Sequence, residues 1–175
     1  MYQDSLKVED KLKDIDFDWK GKSVLDMGCN IGLLEGYVME RGAKDYLGMD
    51  TSETYIKEGK KRNPEASIVK GNLKEYVAMD IDVLVLLSIL HHIEDEDINE
   101  VLGRTAAEEI ICEIPTGKKK YIKDVFGERI KLRIIRSKKW YKDKFEEYGF
   151  DLKYEGESIV HGKDFRRTMF VFKRS

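Results

Sequence analysis

The sequence predicts an α/β three-layer sandwich, a mostly parallel sheet of seven strands with helices on both faces and a C-terminal antiparallel strand. Three observations predict it. Short apolar runs alternate with amphipathic stretches through the first two thirds of the chain, the pattern of repeated βα units. The run Ile81–Leu87 is apolar almost throughout, as a central strand covered on both faces requires. A chain of 175 residues, 41% of them hydrophobic, has the material for one core, and residues 1–175 read as a single domain.

Met1–Lys20 reads as a short helix carrying Leu6, Leu12 and Ile15, followed through residue 22 by a connector with Phe17 and Trp19. Ser23–Met27 is the first buried strand, and a Gly-containing turn leads into a helix near Gly32–Arg41. Tyr46–Met49 is the second strand. Thr51 or Ser52 is placed to cap the next helix, which runs to Arg62 and stops at Asn63-Pro64. Ala66–Lys70 and Ile81–Leu87 follow as strands, Asp95–Leu102 as a helix and Glu109–Ile114 as the fifth strand. Ser137 is a cap for a helix through Tyr148 that Gly149 ends. Phe150–Tyr154 and Thr168–Phe172 close the chain as an antiparallel pair at the sheet's edge.

Charge is unevenly spread. Residues 1–116 carry 14 Lys and Arg against 25 Asp and Glu, whereas residues 117–144 carry 12 against 3. The basic segment 117–136 contains Lys118, Lys119, Lys120, Arg129, Lys131, Arg133 and Arg136, interleaved with Tyr121 and Phe126. It reads either as an acceptor-binding surface for a phosphate or a base, or as a helical flap with solvated lysines. Cys29 and Cys112 are too few for a disulfide framework or a four-cysteine zinc site, and no His, Cys and acid cluster has metal-ligand spacing. With no apolar run of membrane length and no signal-peptide pattern, a cytoplasmic protein without membrane partners is expected.

The chemistry concentrates after the first strand. In Asp26-Met27-Gly28-Cys29-Asn30-Ile31-Gly32 an acid ends the strand and a Gly-rich turn opens the helix, whose N-terminus offers free N–H groups. A pyrophosphate needs a glycine where Asn30 stands, and Asp26 would repel it. The segment suits a ligand with an amino group and a carboxylate but no phosphate.

Here the chain resembles the class I S-adenosylmethionine-dependent methyltransferases, the seven-stranded Rossmann-like family. The likeness rests on D-x-G-x-N-x-G at Asp26–Gly32, Asp50 ending the second strand, Gly71-Asn72-Leu73 after the third, and Asp82–His92 with its Leu-His-His ending. It implies S-adenosylmethionine as cofactor and its demethylated form as product. By this resemblance Asp26 takes the methionyl ammonium, and Gly28, Asn30 and Gly32 shape the methionyl site. Asp50 with Thr51 takes the ribose hydroxyls, while Asn72 with Leu73 takes the adenine. Ser88 contacts cofactor or acceptor. Methyl transfer to an acceptor of high pKa also needs a base. His91 is the first candidate, with Glu113 second; both His91 and His92 can equally pack structurally or cap the following helix. The expected activity is transfer to oxygen or nitrogen of a small, anionic acceptor, phosphorylated or not. The alternatives are a tRNA or other RNA acceptor, and a non-catalytic cofactor-binding regulator or partner subunit.

Overall fold

A computed structural model describes residues 11–12, 14–73, 80–116, 121–123, 129–131, 134–158 and 167–175. Leu6, Lys118–Lys120, Phe126, Arg133 and His161 lie outside them. The elements in order are β1 (Ser23–Met27), α1 (Leu33–Glu40), β2 (Asp45–Asp50), α2 (Glu53–Arg62), β3 (Ile68–Lys70) and β4 (Val83–Leu87). A 3-10 turn (Leu90–His92) leads into α3 (Asp95–Arg104) and β5 (Glu109–Pro115). Next come β6 (Tyr121–Lys123), β7 (Arg129–Lys131), α4 (Lys138–Glu147), β8 (Phe150–Ser158) and β9 (Arg167–Arg174).

Seven strands form one sheet in the order β3-β2-β1-β4-β5-β9-β8. The first five run parallel, while β9 pairs antiparallel with both β5 and β8. The final two strands pair with each other at the sheet's edge as expected, with β8 outermost and β9 beside β5. Composition explains this. Arg167–Phe172 are all buried, whereas β8 alternates exposed Lys and Glu with half-buried residues and so suits an edge.

Side-chain alternation along the strands splits the core into two layers. Leu25, Leu84, Leu86, Ile110 and Cys112 pack with Ile98, Val101 and Leu102 of α3 and Tyr141 and Phe145 of α4. Val24, Val83, Val85 and Ile111 pack on the opposite face with Leu34, Tyr37 and Val38 of α1, Ile56 of α2, and Leu12 and Trp19 of the N-terminal segment. Ser52 caps α2 by accepting from the Tyr55 N–H at 3.3 Å, and Ser137 caps α4 from Trp140 at 3.0 Å.

Within the basic segment, Tyr121–Lys123 pairs antiparallel with Arg129–Lys131 as a separate two-stranded sheet. The described part of this segment is therefore a strand pair and not a helical flap. Its Tyr-Ile-Lys and Arg-Ile-Lys runs favour the extended chain because a β-branched residue sits at the centre of each.

Candidate functional site

The strand order reverses between β1 and β4. Beyond β1 the chain turns to α1 on one face, and beyond β4 it turns to α3 on the other. The two loops therefore diverge and leave a crevice at the carboxyl edge, the place where open α/β sheets bind ligands.

The first loop has three residues in the left-handed region: Gly28 at φ 76°, Asn30 at φ 57° and Gly32 at φ 79°. The backbone N–H groups of Gly28 and Cys29 both donate to the Met49 carbonyl, at 2.7 and 3.0 Å. A Cβ on Gly28 would come within 3.0 Å of the Ile89 side chain, so the two loops nearly touch there. Asp50 is half-buried at the end of β2. It accepts from the Asn30 N–H at 2.9 Å and from the Ser52 N–H at 2.8 Å, joining the first loop to the cap of α2. The Asn30 side-chain oxygen is buried with no hydrogen-bond partner among the described residues. Thr51 is exposed beside Asp50, and Asn72 and Leu73 are half-buried directly after β3.

Asp26 is buried on the α1 face and accepts from the Tyr46 hydroxyl at 2.9 Å. Burial pushes its carboxyl up to about 7, an effect the Tyr46 bond opposes and nearby Asp50 reinforces. Tyr46 was not among the residues the sequence singles out. Its Cα lies opposite Val24, two residues before Asp26 on the same face, so a long phenol reaches the acid diagonally.

The second cluster lies at the ends of β4, β5, β8 and β9. Ser88 sits at φ 62° just past β4. Its hydroxyl donates to Glu113 Oε2 at 2.5 Å and accepts from the Arg167 guanidinium. Glu113 is fully buried; its other oxygen accepts from Ser158 at 2.5 Å, while Arg167 and Lys11 reach Oε2 at 2.6 and 3.2 Å. Burial alone would raise the Glu113 pKa. Lys11 and Arg167, aided by the two serine hydroxyls, overcome that and hold it well below the usual carboxylate range. A carboxylate so occupied is a poor proton acceptor. Lys11, Ser158 and Arg167 carried no motif in the sequence, because they converge only when β9 inserts beside β5.

His91 is fully buried in the 3-10 turn, and neither ring nitrogen has a partner among the described residues. Burial, followed by the charges of His92 and Arg167, lowers its pKa to about 3. The imidazole is neutral at physiological pH. His92 is half-buried with its ring centroid 4.0 Å from that of His91. Arg136, the last cation of the basic segment, is buried and turned inward. Among the cations that follow it, Lys138 and Lys142 pair with Glu155, Lys139 with Asp143 and Lys144 with Glu147. Among the described residues no group of three or more His, Cys, Asp and Glu could hold a metal ion, and no helix is long and apolar enough to cross a membrane.

The first loop fits a sulfonium nucleoside. A buried carboxyl with a raised pKa gains most from a neighbouring ammonium. The unpartnered Asn30 oxygen offers an acceptor to an amino or hydroxyl group, and Asp50 keeps lone pairs for two hydroxyls. A diphosphate would face two carboxylates at the same place.

Comparison with known proteins agrees. Residues 24–107 match the family model described as a methyltransferase domain. No curated protein sequence matches the chain. Among solved structures, a candidate S-adenosylmethionine-dependent methyltransferase from Listeria monocytogenes superposes with a TM-score of 0.73 at 18% identity, over 95% of this chain and 97% of that one. A TehB-like S-adenosylmethionine-dependent methyltransferase from Corynebacterium glutamicum gives 0.68 at 21% identity, over 97% and 89% of the two chains. Magnesium protoporphyrin IX methyltransferase from Synechocystis PCC 6803, solved with bound S-adenosylmethionine, gives 0.69 at 17% identity, over 90% and 72%. The fold, the Asp26–Gly32 loop and the family match converge: residues 24–107 match a methyltransferase domain, and the chain has the Rossmann-like fold of S-adenosylmethionine-dependent methyltransferases.

Proposed function

We propose that the protein methylates an oxygen or nitrogen atom of a small anionic acceptor that enters where β4, β5 and β9 end. The observation that carries this reading is the charge there. Two cations, Lys11 and Arg167, converge on the single carboxylate of Glu113, leaving a surplus of positive charge in a buried setting. Such a surplus attracts an anion more strongly than an exposed lysine does.

S-adenosylmethionine supplies an electrophilic methyl group. In this reading Asp26 receives the methionyl ammonium, and the Gly28–Asn30–Gly32 loop receives the methionyl chain. Asp50 and Thr51 hold the ribose, with Asn72 and Leu73 against the adenine. Ser88 marks the boundary with the acceptor and is held there by Glu113 and Arg167. His91 is assigned to the acceptor side. Its neutral ring, with two unpartnered nitrogens, is suited to accept a hydrogen bond from an acceptor O–H or N–H and orient the lone pair. So weak a base supports acceptors that need little help losing their proton.

An RNA acceptor would be expected to use the basic segment. Arg136 at its end is turned inward, and the cations of α4 that follow, Lys138, Lys139, Lys142 and Lys144, are paired with acids, which favours the small acceptor. Magnesium protoporphyrin IX, in the name of one structural neighbour, is also a small molecule.

The test is to incubate the protein with methyl-labelled S-adenosylmethionine and fractionated cell extract. Label should enter low-molecular-weight anions. Label in RNA would replace the acceptor class, and binding of S-adenosylhomocysteine without turnover in any fraction would identify a non-catalytic subunit.

A further inference from the structure

We propose that Arg136 is a positioning residue for methyl transfer: its guanidinium fixes the turn after β4 that carries His91 to the acceptor side. This rests on the function proposed above. The turn is poorly supported by its own strand. Ser88 breaks the extended chain with its left-handed backbone, and the 3-10 turn that follows is only three residues long. Its carbonyls are instead taken up by one distant stretch, residues 134–136. Arg136 donates to the Leu90 carbonyl at 2.9 Å and to the Ile93 carbonyl at 2.8 Å, and the Ile134 N–H donates to the His91 carbonyl between them at 3.1 Å.

The same guanidinium reaches Asp95, the first residue of α3, with Nε at 2.8 Å from the carboxylate, and it lies over the Trp140 ring at 4.6 Å. One planar group thus joins both ends of the turn, the start of α3 and the first turn of α4. Only a fork of fixed N–H groups serves several acceptors in such different directions; an ammonium in its place keeps the charge and loses the geometry. Because residues 134–136 end the basic segment, the pose of His91 is set from that segment as well as from β4. The cofactor loop meets this turn through the approach of Gly28 to Ile89 and makes none of the Arg136 hydrogen bonds, so the two readouts of cofactor binding and turn position can be compared.

The test uses the full chain and Arg136→Lys, with Asp95→Asn as a milder variant that keeps both carbonyl bonds. Three readouts are needed: calorimetric affinity for S-adenosylhomocysteine, NMR titration of the histidine imidazoles with His91 assigned through His91→Gln, and label transfer to the active extract fraction. In Arg136→Lys the affinity should stay within twofold, the His91 signals should shift and titrate closer to ordinary histidine, and transfer should fall at least tenfold. Asp95→Asn should move the same readouts less. Unchanged His91 signals in Arg136→Lys would overturn the proposal, as would loss of affinity in step with activity. If Arg136→Lys does not fold, Asp95→Asn decides by the same criteria. A wild-type chain that does not bind S-adenosylhomocysteine would instead count against the functional reading beneath it.

Discussion

At the scale of single residues, two buried groups pull stability in opposite directions with pH. Asp26 ionises near 3.8 in a free chain and about 7 in the fold. Between those values the folded chain holds a proton the unfolded chain has lost. Its contribution is therefore complete below about pH 4 and is lost as pH rises to 7. His91 is depressed from 6.5 to about 3, so its contribution is present above pH 6.5 and is lost as pH falls to 3. The two slopes oppose each other from about pH 4 to 6.5. Asp26→Asn should unmask the histidine slope, seen as a urea midpoint that drops more steeply on acidification. Ligand binding supplies the second check. An ammonium needs ionised Asp26, so affinity for S-adenosylhomocysteine should rise by up to about tenfold per pH unit below 7 and level off above it. Calorimetry in buffers of different ionisation enthalpy should find about one proton released at pH 6. Asp50→Ala should weaken the same ligand by about 1–3 kcal/mol through loss of charged hydrogen bonds, and an unchanged dissociation constant would remove the ribose assignment.

At the scale of elements, Ser52 joins the site to its scaffold. Its hydroxyl caps α2 while its N–H holds Asp50. Ser52→Ala should cost about 1 kcal/mol in urea unfolding while leaving the backbone bond to Asp50 intact, with little change in ligand affinity. Elements of this kind were legible in the sequence because their signals are local. The Ile81–Leu87 run, the Ser52 and Ser137 caps and the Asn63-Pro64 stop all act within a few residues. What was not legible is non-local. β9 enters the sheet because six successive residues are buried between β5 and β8, a fact of pairing that no window of sequence contains. Arg136 is non-local in the same way: read with the cations of the basic segment, it turns inward to carbonyls that lie more than 40 residues away in sequence.

For the molecule as a whole, the Glu113 cluster is where distant parts of the chain meet. Lys11 of the N-terminal segment, Ser88 after β4, Ser158 of β8 and Arg167 of β9 converge on one carboxylate. Glu113→Gln would leave two cations short of a partner in a buried place, and such breakage costs about 3–5 kcal/mol. The urea midpoint should fall accordingly and respond little to added salt, since buried pairs are weakly screened. A surface-type loss below about 1 kcal/mol would show that the cluster is solvated. The proposed cofactor loop is named by a resemblance that rests on motif order and spacing, but no such motif reveals this cluster, because its members come from five separate parts of the chain.

Both thiols are buried, and burial raises the pKa of each well above that of an ordinary cysteine. Neither should react with alkylating reagents while its surroundings stay closed. Cys29 lies in the loop after β1 and Cys112 in the middle of β5, so their reaction rates form a pair of internal clocks. The first times local opening of the Gly28–Gly32 loop and should slow when S-adenosylhomocysteine binds, whereas the second advances only when the central sheet comes apart.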